Sequence, residues 1–113
     1  MKHFTVDEFN CQHTGENHMD PEFMEKVDKL RDHCGFPFVI TSGYRSPQHP
    51  IEAKKDVPGT HAQGIAADIK ITNSAQRYSL IKAALEHGFT GIGVAGNFIH
   101  LDIRPSLPVM WTY

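Results

Sequence analysis

Residues 59–71 have the sequence Gly-Thr-His-Ala-Gln-Gly-Ile-Ala-Ala-Asp-Ile-Lys-Ile. The first part contains two glycines and no apolar run, which is typical of a loop. The second part, residues 66–71, has the short apolar character of a β-strand, with Asp68 at its start. A histidine, His61, and an aspartate, Asp68, therefore lie on either side of the point where a loop enters a strand. The other predicted elements lie before and after this segment.

On the N-terminal side, the sequence predicts one helix and one strand. Asp20 is the expected N-cap, Pro21 occupies the first helical position, and Gly35 supplies a left-handed stop. Helical spacing predicts a buried stripe that consists of Phe23, Val27, Leu30 and Cys34. The β-branched run at residues 38–41 then predicts a short buried strand.

On the C-terminal side, Asn73 or Ser74 is expected to cap a second helix that ends before Gly88. Helical spacing predicts that its buried face consists of Tyr78, Ile81, Ala84 and Leu85. Residues 91–94 and 98–103 flank a short glycine-containing connection, which predicts a hairpin. Because helices and strands are mixed without a βαβ rhythm, the expected fold class is α+β with a largely antiparallel sheet.

The bulk composition limits the possible partners. The chain has 113 residues, 40% of them hydrophobic and 21% charged, which predicts one folded domain over residues 1–113. Its formal net charge of −2 provides no basic footprint for nucleic acid. No apolar run approaches the ~20 residues that span a bilayer, and residues 1–5 lack the apolar region of a signal peptide. We therefore expect synthesis in the cytosol without a signal peptide, no nucleic-acid partner and no membrane association.

Histidine is the residue type that points to chemistry, since eight histidines exceed what a small core requires. Two imidazoles and a carboxylate, with the fourth position open, are the ligand set of a catalytic zinc site, and His61, Asp68 and His100 supply them. The cysteines Cys11 and Cys34 lack the spacing of a structural zinc site and are expected to be reduced. The spacing of the two histidines and the aspartate fits an alternative without a metal equally well. In that alternative, His61 is a capping residue, Asp68 starts a strand and His100 is half-buried.

Three motifs, in this order, resemble those of a known enzyme family. They are Ser42-Gly43-Tyr44-Arg45-Ser46, residues 61–68 and His100-Leu101-Asp102. From Phe4 to Trp111 the chain resembles the M15 peptidases, the zinc D-Ala-D-Ala carboxypeptidase and phage endolysin group that shares its fold with the hedgehog signalling domain. The resemblance implies a small hedgehog/DD-peptidase-like domain with two main helices, and a Zn²⁺ ion held by His61, Asp68 and His100.

The activity that this resemblance implies is hydrolysis of peptide bonds in peptidoglycan stem peptides, either at a terminal D-alanine or at an internal bond. Zinc lowers the pKa of its bound water toward ~7 and polarises the scissile carbonyl. Arg45 is expected to stabilise the developing oxyanion or to hold a substrate carboxylate, for which its planar donor fork is suited. The structural alternative is that Arg45 is a surface arginine that braces its loop through Ser42 or Ser46.

The position of the general base is where this chain departs from many M15 peptidases. Those enzymes have an acidic residue three positions before the last histidine ligand, where this chain has Asn97. Asp102 shares a strand face with His100, because residues two apart on a strand point to the same side. It is expected either to act as the base through a water molecule or to orient a ligand histidine. Ser42, Tyr44 and Asn97 are expected to contact the substrate.

Three functional classes are open, of which the third, a cysteine-dependent hydrolase that uses Cys34 or Cys11, is the least favoured because neither thiol has the helix-start or elbow context that lowers a thiol pKa. The first is a zinc peptidase that acts on peptidoglycan. The second is a catalytically silent zinc-binding module with a structural or cell-wall-binding role, which the amide at Asn97 favours. Phe98 and Trp111 either line a substrate groove or pack in the core. The expected partner is a peptidoglycan peptide, the expected state is a monomer, and the expected place of action is the cell wall, as a phage-encoded or virion-associated protein.

Overall fold

A computed structural model describes all residues from 1 to 113. The chain forms two α-helices, α1 (Pro21–Cys34) and α2 (Ser74–Glu86), and two short 3₁₀ segments at Val6–Phe9 and Glu52–Lys54. The five strands are β1 (Ile40–Ser42), β2 (Ala66–Lys70), β3 (Gly91–Val94), β4 (Phe98–Asp102) and β5 (Val109–Thr112). They form one sheet in the order β1-β2-β4-β3-β5, in which only the β3–β5 pair is parallel. The predicted α+β class with a largely antiparallel sheet is confirmed.

Both helices begin and end at the residues that carry the capping signals. The side chain of Asp20 accepts a hydrogen bond from the Glu22 amide, and Gly35 ends α1 with a φ of 73°. The Asn73 side chain accepts from the Gln76 amide at 2.8 Å and starts α2. The capping signals therefore predict the start of both helices and the end of α1.

The predicted buried face of α2 is partly wrong. Tyr78 and Leu85 are 71% and 58% exposed, while Leu80, Ala83 and Ala84 are buried. Apolar residues occur on more than one side of this helix, so helical spacing does not decide which side faces the core. The structure buries the side with two alanines. On α1, Phe23, Val27 and Leu30 are buried as predicted, but Cys34 is only partly buried.

The two edge strands also differ from the prediction. β1 begins at Ile40 rather than at residue 38, and Val39 is 54% exposed, because β1 pairs only with β2 and is not a buried strand. β5 was not predicted at all. Its residues Val109 and Met110 are exposed, so this edge strand lacks the apolar and polar alternation by which strands are recognised.

The sheet presents different chemistry on its two faces. Alternate residues of the central strands point toward the helices and join the hydrophobic core; they are Ala67, Ile69, Ile92, Ile99 and Leu101. The residues between them face the other way, and on β2 and β4 these include Asp68, His100 and Asp102. The helices therefore cover one face, and the other face carries the polar groups. Neither helix combines the length and the apolarity needed to cross a membrane.

Asp28 is a buried carboxylate that the helical pattern does not predict. It is 6% exposed and accepts hydrogen bonds from the backbone amides of Lys2, at 2.9 Å, and His3, at 2.7 Å. Burial opposes its ionisation, but these two hydrogen bonds outweigh burial and hold the pKa of Asp28 below its usual range. Asp28 therefore attaches the N-terminal segment to α1.

We predict that Asp28→Asn lowers the free energy of unfolding at pH 7 by about 1–3 kcal/mol, since an amide oxygen cannot replace a carboxylate that accepts two backbone hydrogen bonds. Because the folded pKa is lowered, this stabilisation is present above the unfolded pKa of about 3.9 and is lost as the pH falls below it. Urea denaturation of both proteins at pH 7 and at about pH 3 measures the difference. Asp32→Asn, which alters an exposed carboxylate on the same helix, should have little effect.

Candidate metal centre

Strand register places an aspartate and a histidine side by side. Asp68 on β2 pairs with His100 on β4, and His100 also pairs with Gly93 on β3. Paired residues on neighbouring strands point to the same face, so the Asp68 and His100 side chains meet on the face away from the helices. His61 reaches them from the loop before β2. The φ of 77° at Gly64 and a hydrogen bond from the Asp20 amide to the Gly64 carbonyl hold this loop in place.

The hydrogen bonds of the two histidines fix which ring nitrogen faces the site. The Nδ1–H of His61 donates to the Gly43 carbonyl at 2.8 Å, which leaves Nε2 as an acceptor. The Nε2–H of His100 donates to Asp102 Oδ2 at 2.7 Å, which leaves Nδ1 facing the site. Each ring therefore presents one nitrogen to the same point, together with Asp68 Oδ1.

These three atoms form a nearly equilateral triangle. His61 Nε2 lies 3.2 Å from both Asp68 Oδ1 and His100 Nδ1, and His100 Nδ1 lies 3.0 Å from Asp68 Oδ1. Ligand atoms around a tetrahedral zinc ion, at about 2.0–2.1 Å from the metal, are roughly 3.3 Å apart. The donor types and the spacing both fit a metal ion, and this is the one group of histidine, cysteine or acidic side chains in the chain that could hold one.

Electrostatics favours a cation at this point. All three residues are buried, with exposures of 4% for His61, 6% for Asp68 and 4% for His100. Burial disfavours the charged form of Asp68, but its interactions with the two neighbouring imidazoles hold its pKa below the usual range. Burial lowers the pKa of His100, but the carboxylates of Asp102 and Asp68 on either side of the ring favour its charged form and raise the pKa overall. A cation at the point where these three atoms converge would interact favourably with Asp68 Oδ1 and with the ring nitrogens that face it.

Asp102 lies behind His100 and is fully buried. Its Oδ2 accepts from His100 and from the Arg104 guanidinium at 2.6 Å, and its Oδ1 accepts from the Arg104 side chain and backbone, both at 3.0 Å. Burial raises the pKa of Asp102, but these hydrogen bonds lower it further than burial raises it. Both oxygens are engaged, so the placement of Asp102 favours the orienting role over that of a base in contact with substrate.

Arg45 points into the site from the loop after β1. Its guanidinium lies 3.7 Å from Asp68 Oδ2 and 3.9 Å from Glu52 Oε2, distances at which it makes charge contacts but no hydrogen bond. Glu52 is 5% exposed and also accepts from Lys55 Nζ at 2.7 Å and from the Gly59 amide at 3.0 Å. The long loop is therefore built around a buried carboxylate, which holds Arg45 near the metal ligands while its hydrogen-bond donors stay free.

The ligand triangle lies in a cleft of about 540 Å³. Its cationic lining residues are Arg45, Lys55 and Arg104, and its only lining carboxylate is that of Asp68. Its apolar and aromatic wall is formed by Ile51, Phe98, Trp111 and Tyr113. The Trp111 ring lies 5.1 Å from the His100 ring, and the Phe98 and Tyr113 rings are also 5.1 Å apart. Phe98 and Trp111 therefore line the cleft, which is one of the two alternatives the sequence allowed.

The three residues expected to contact substrate do not line this cleft. Tyr44 is 5% exposed and belongs to the hydrophobic core, where its ring lies 5.3 Å from that of His18. Ser42 is next to Asp68 in the β1–β2 ladder. Asn97 is exposed at the hairpin between β3 and β4 and lines a separate shallow depression beside Phe98. Cys11 and Cys34 are both free, as expected.

Sequence reasoning missed three residues of the site. Glu52 lies in a loop without periodicity, and no sequence signal indicates that its carboxylate is buried. Tyr113 follows a strand that was not predicted, so its place on the cleft wall could not be inferred. Arg104 could have been found from the sequence. It is two residues beyond Asp102, just as Asp102 is two residues beyond His100, and residues at this spacing share one face of a strand.

Residues 2–102 match the sequence profile of the family described as Peptidase M15. The chain belongs to the M15 peptidase family. The resemblance seen in the motifs is thereby confirmed, and membership implies a hydrolytic enzyme of a metal-dependent class. The profile match ends at Asp102. It therefore includes all three residues of the ligand triangle, His61, Asp68 and His100. No curated protein has significant sequence similarity to this M15 peptidase.

Glycines opposite the large site residues make room for them. A side-chain carbon at Gly91 would overlap the carboxylate of Asp102. We predict that Gly91→Ala lowers the free energy of unfolding by about 1–3 kcal/mol, as overpacking of a well-packed interior does. Gly96→Ala is the matched control, because a side chain there meets nothing within 4 Å. Chemical denaturation of both variants checks this, and equal stability of the two would contradict it.

Proposed function

We propose that this M15 peptidase uses Zn²⁺ to hydrolyse peptide bonds in peptidoglycan stem peptides. The observation that carries the proposal is the triangle of His61 Nε2, Asp68 Oδ1 and His100 Nδ1, three atoms 3.0–3.2 Å apart that point at one position in an open cleft. Two nitrogens and one oxygen with room for a fourth ligand match a catalytic zinc site better than the closed sets of structural zinc. When bound, zinc supplies an activated water and a Lewis acid.

The charge of the cleft supports a peptide substrate that carries carboxylates. Three cationic side chains and one carboxylate line it, and a bound divalent metal ion adds further positive charge. Stem peptides carry free carboxylates, which a cleft of this sign attracts. The aromatic wall formed by Phe98, Trp111 and Tyr113 offers an apolar surface for the methyl and methylene groups of the peptide.

Each polar residue around the ligands then has a separate task. Arg45 has free donors facing the cleft and stabilises negative charge that develops on the scissile carbonyl oxygen, or holds a substrate carboxylate. Asp102 holds His100 in the tautomer that directs Nδ1 to the metal. Glu52 keeps Arg45 in place through their charge contact at 3.9 Å.

A catalytically silent zinc-binding module is the second candidate. One observation favours it: Asp68 is the only carboxylate that lines the cleft, and it belongs to the ligand triangle. Asn97, where many relatives have an acid, is exposed outside the cleft. A silent module would bind zinc and sediment with peptidoglycan but release no peptide from it.

We predict that the purified protein binds one zinc ion, and that His61→Ala abolishes binding because a ligand is lost. His33→Ala, which removes an exposed histidine on α1, should leave zinc content unchanged. Metal analysis after removal of free zinc measures this. Full zinc content in His61→Ala would remove the ligand assignment.

Activity is tested with zinc-loaded protein on purified peptidoglycan of several wall types, with mass spectrometry of the released products. We expect new peptide fragments that disappear when a chelator removes the metal and return when zinc is added. The masses identify whether a terminal D-alanine or an internal bond is cut. Zinc binding without any release, across all wall types, would establish the silent module instead.

We predict that Arg45→Ala lowers kcat/KM by about 10²- to 10³-fold while zinc content stays at the wild-type level, as is typical when a single oxyanion donor is lost. A loss confined to kcat indicates charge stabilisation in the transition state, and a rise in KM indicates that Arg45 holds a substrate carboxylate. Lys54→Ala, an exposed cation in the same loop, is the control. Unchanged kinetics in Arg45→Ala would exclude both roles.

We further propose that the protein is a monomer that acts at the cell wall, as part of a phage lysis system or of a virion. The support for this is the family together with a cleft suited to a wall peptide. Sedimentation of the purified protein, and co-sedimentation with insoluble peptidoglycan, test the two statements separately.

A further inference from the structure

We propose that Arg104, which is not a metal ligand, is a positioning residue of the metal centre. It acts through Asp102, which fixes the orientation and the tautomer of His100. This inference rests on the metal site proposed above and adds a residue that determines how tightly the site holds its ion.

The first observation is the number of contacts between Arg104 and Asp102. The backbone amide and Nε of Arg104 both donate to Asp102 Oδ1 at 3.0 Å, and the terminal guanidinium nitrogen donates to Oδ2 at 2.6 Å. Two parallel donors of one guanidinium on one carboxylate define both the position and the plane of that carboxylate. Asp102 therefore has no freedom to rotate while Arg104 is in place.

The second observation is that the same carboxylate binds the metal-ligand histidine. Asp102 Oδ2 accepts from His100 Nε2 at 2.7 Å, and Asp102 has no exposed surface. A proton held on Nε2 leaves Nδ1 of the neutral ring as a metal ligand, and Nδ1 is the atom that faces Asp68 and His61. The orientation of the Asp102 carboxylate thus determines which nitrogen His100 offers to the metal.

The third observation is that an aromatic ring completes the arrangement. The Arg104 guanidinium lies over the Trp111 ring at 4.9 Å, and that ring lies 5.1 Å from the His100 ring. Gly93 makes room for this stack, because a side-chain carbon there would lie 2.9 Å from the Trp111 indole. His100, Asp102, Arg104 and Trp111 therefore form a closed set of contacts in which Arg104 touches both neighbours of His100.

The energetic consequence follows from burial. Without the Arg104 guanidinium, the buried carboxylate of Asp102 keeps only its hydrogen bonds to His100 and to the backbone amide of residue 104, and it loses the cation that balances its charge. The carboxylate is then free to reorient, and the bias toward the Nε2–H tautomer of His100 weakens. Partners of metal-ligand histidines typically change metal affinity by about 10- to 100-fold when they are removed.

The experiment measures the zinc dissociation constant by competition with a chromophoric chelator, at one pH, on the full chain. We expect Arg104→Gln to weaken zinc binding by about 10- to 100-fold, and Arg104→Lys, which keeps the charge but loses the paired donors, by a smaller factor. Arg77→Lys is the matched control, since the Arg77 guanidinium donates to the Gly96 carbonyl and neither residue lines the cleft that holds the metal ligands. Its zinc affinity should equal that of the wild type.

A double-mutant comparison separates this role from general packing. In an Asp102→Asn background, Arg104→Gln should cause little further loss of zinc affinity, because both changes act on the same contact. Nitrogen-15 NMR of the histidine side chains, without metal, should show that His100 loses its single tautomer in Arg104→Lys. This spectrum reports on the ring directly and remains informative if Arg104→Gln fails to fold.

Three results would overturn the proposal. Wild-type zinc affinity in both Arg104 variants would do so, as would an equal loss of affinity with and without Asp102→Asn, or an unchanged His100 tautomer in Arg104→Lys. If the wild-type protein itself binds no zinc, the proposed metal site is wrong along with this inference. If the wild type binds zinc and the Arg104 variants bind it equally well, only the role of Arg104 is wrong.

Discussion

His61, Asp68 and His100 direct three hydrogen-bond acceptor atoms at one point. Acceptors this close need a cation between them, and the rest of the site is organised around that need. The second nitrogen of each ring is already used, by the Gly43 carbonyl for His61 and by Asp102 for His100. Acceptors 3.0–3.2 Å apart repel one another unless a proton or a metal ion lies among them. Burial of all three residues strengthens this requirement, because water cannot screen the repulsion.

The fold meets this requirement by register rather than by sequence proximity. Asp68 and His100 are 32 residues apart, yet they are paired across β2 and β4. The small residues Gly91 and Gly93 on β3 lie opposite Asp102 and His100 and leave space above the sheet for the larger side chains. The hydrophobic core occupies the opposite face, so the polar site is built without interrupting the core.

Much of this arrangement was predictable from the sequence, and what was missed has physical causes. The helix starts at Asp20 and Asn73 were predictable because an N-cap is a local signal that the sequence carries directly. The ligand set was found because its residue types are chemically specific and three ordered motifs resemble one family. The buried side of α2 was predicted incorrectly because apolar residues lie around much of the helix, and only packing selects among them. The burial of Glu52 and Tyr44 depends on how the loop after β1 folds over the sheet, which no periodicity encodes.

The arrangement around Arg104 shows how a residue outside the ligand set becomes part of the site. The strand continues past Asp102, and the guanidinium of Arg104 turns back onto that carboxylate while it packs on Trp111 from the edge strand. An element absent from the sequence prediction, β5, thus supplies one side of the metal centre. Val109 and Met110 of this edge strand are exposed and do not belong to the core. Its Trp111, in contrast, packs beside His100.

X-ray absorption spectroscopy of the zinc-loaded protein tests the central claim most directly, because it reports the atoms bound to the metal without relying on activity. The structure predicts a four-coordinate ion with two imidazole nitrogens and oxygen ligands, all at about 2.0–2.1 Å. Sulfur scattering at about 2.3 Å would place the zinc on cysteines and contradict the site. A six-coordinate ion without imidazole scattering would show that His61, Asp68 and His100 do not hold it.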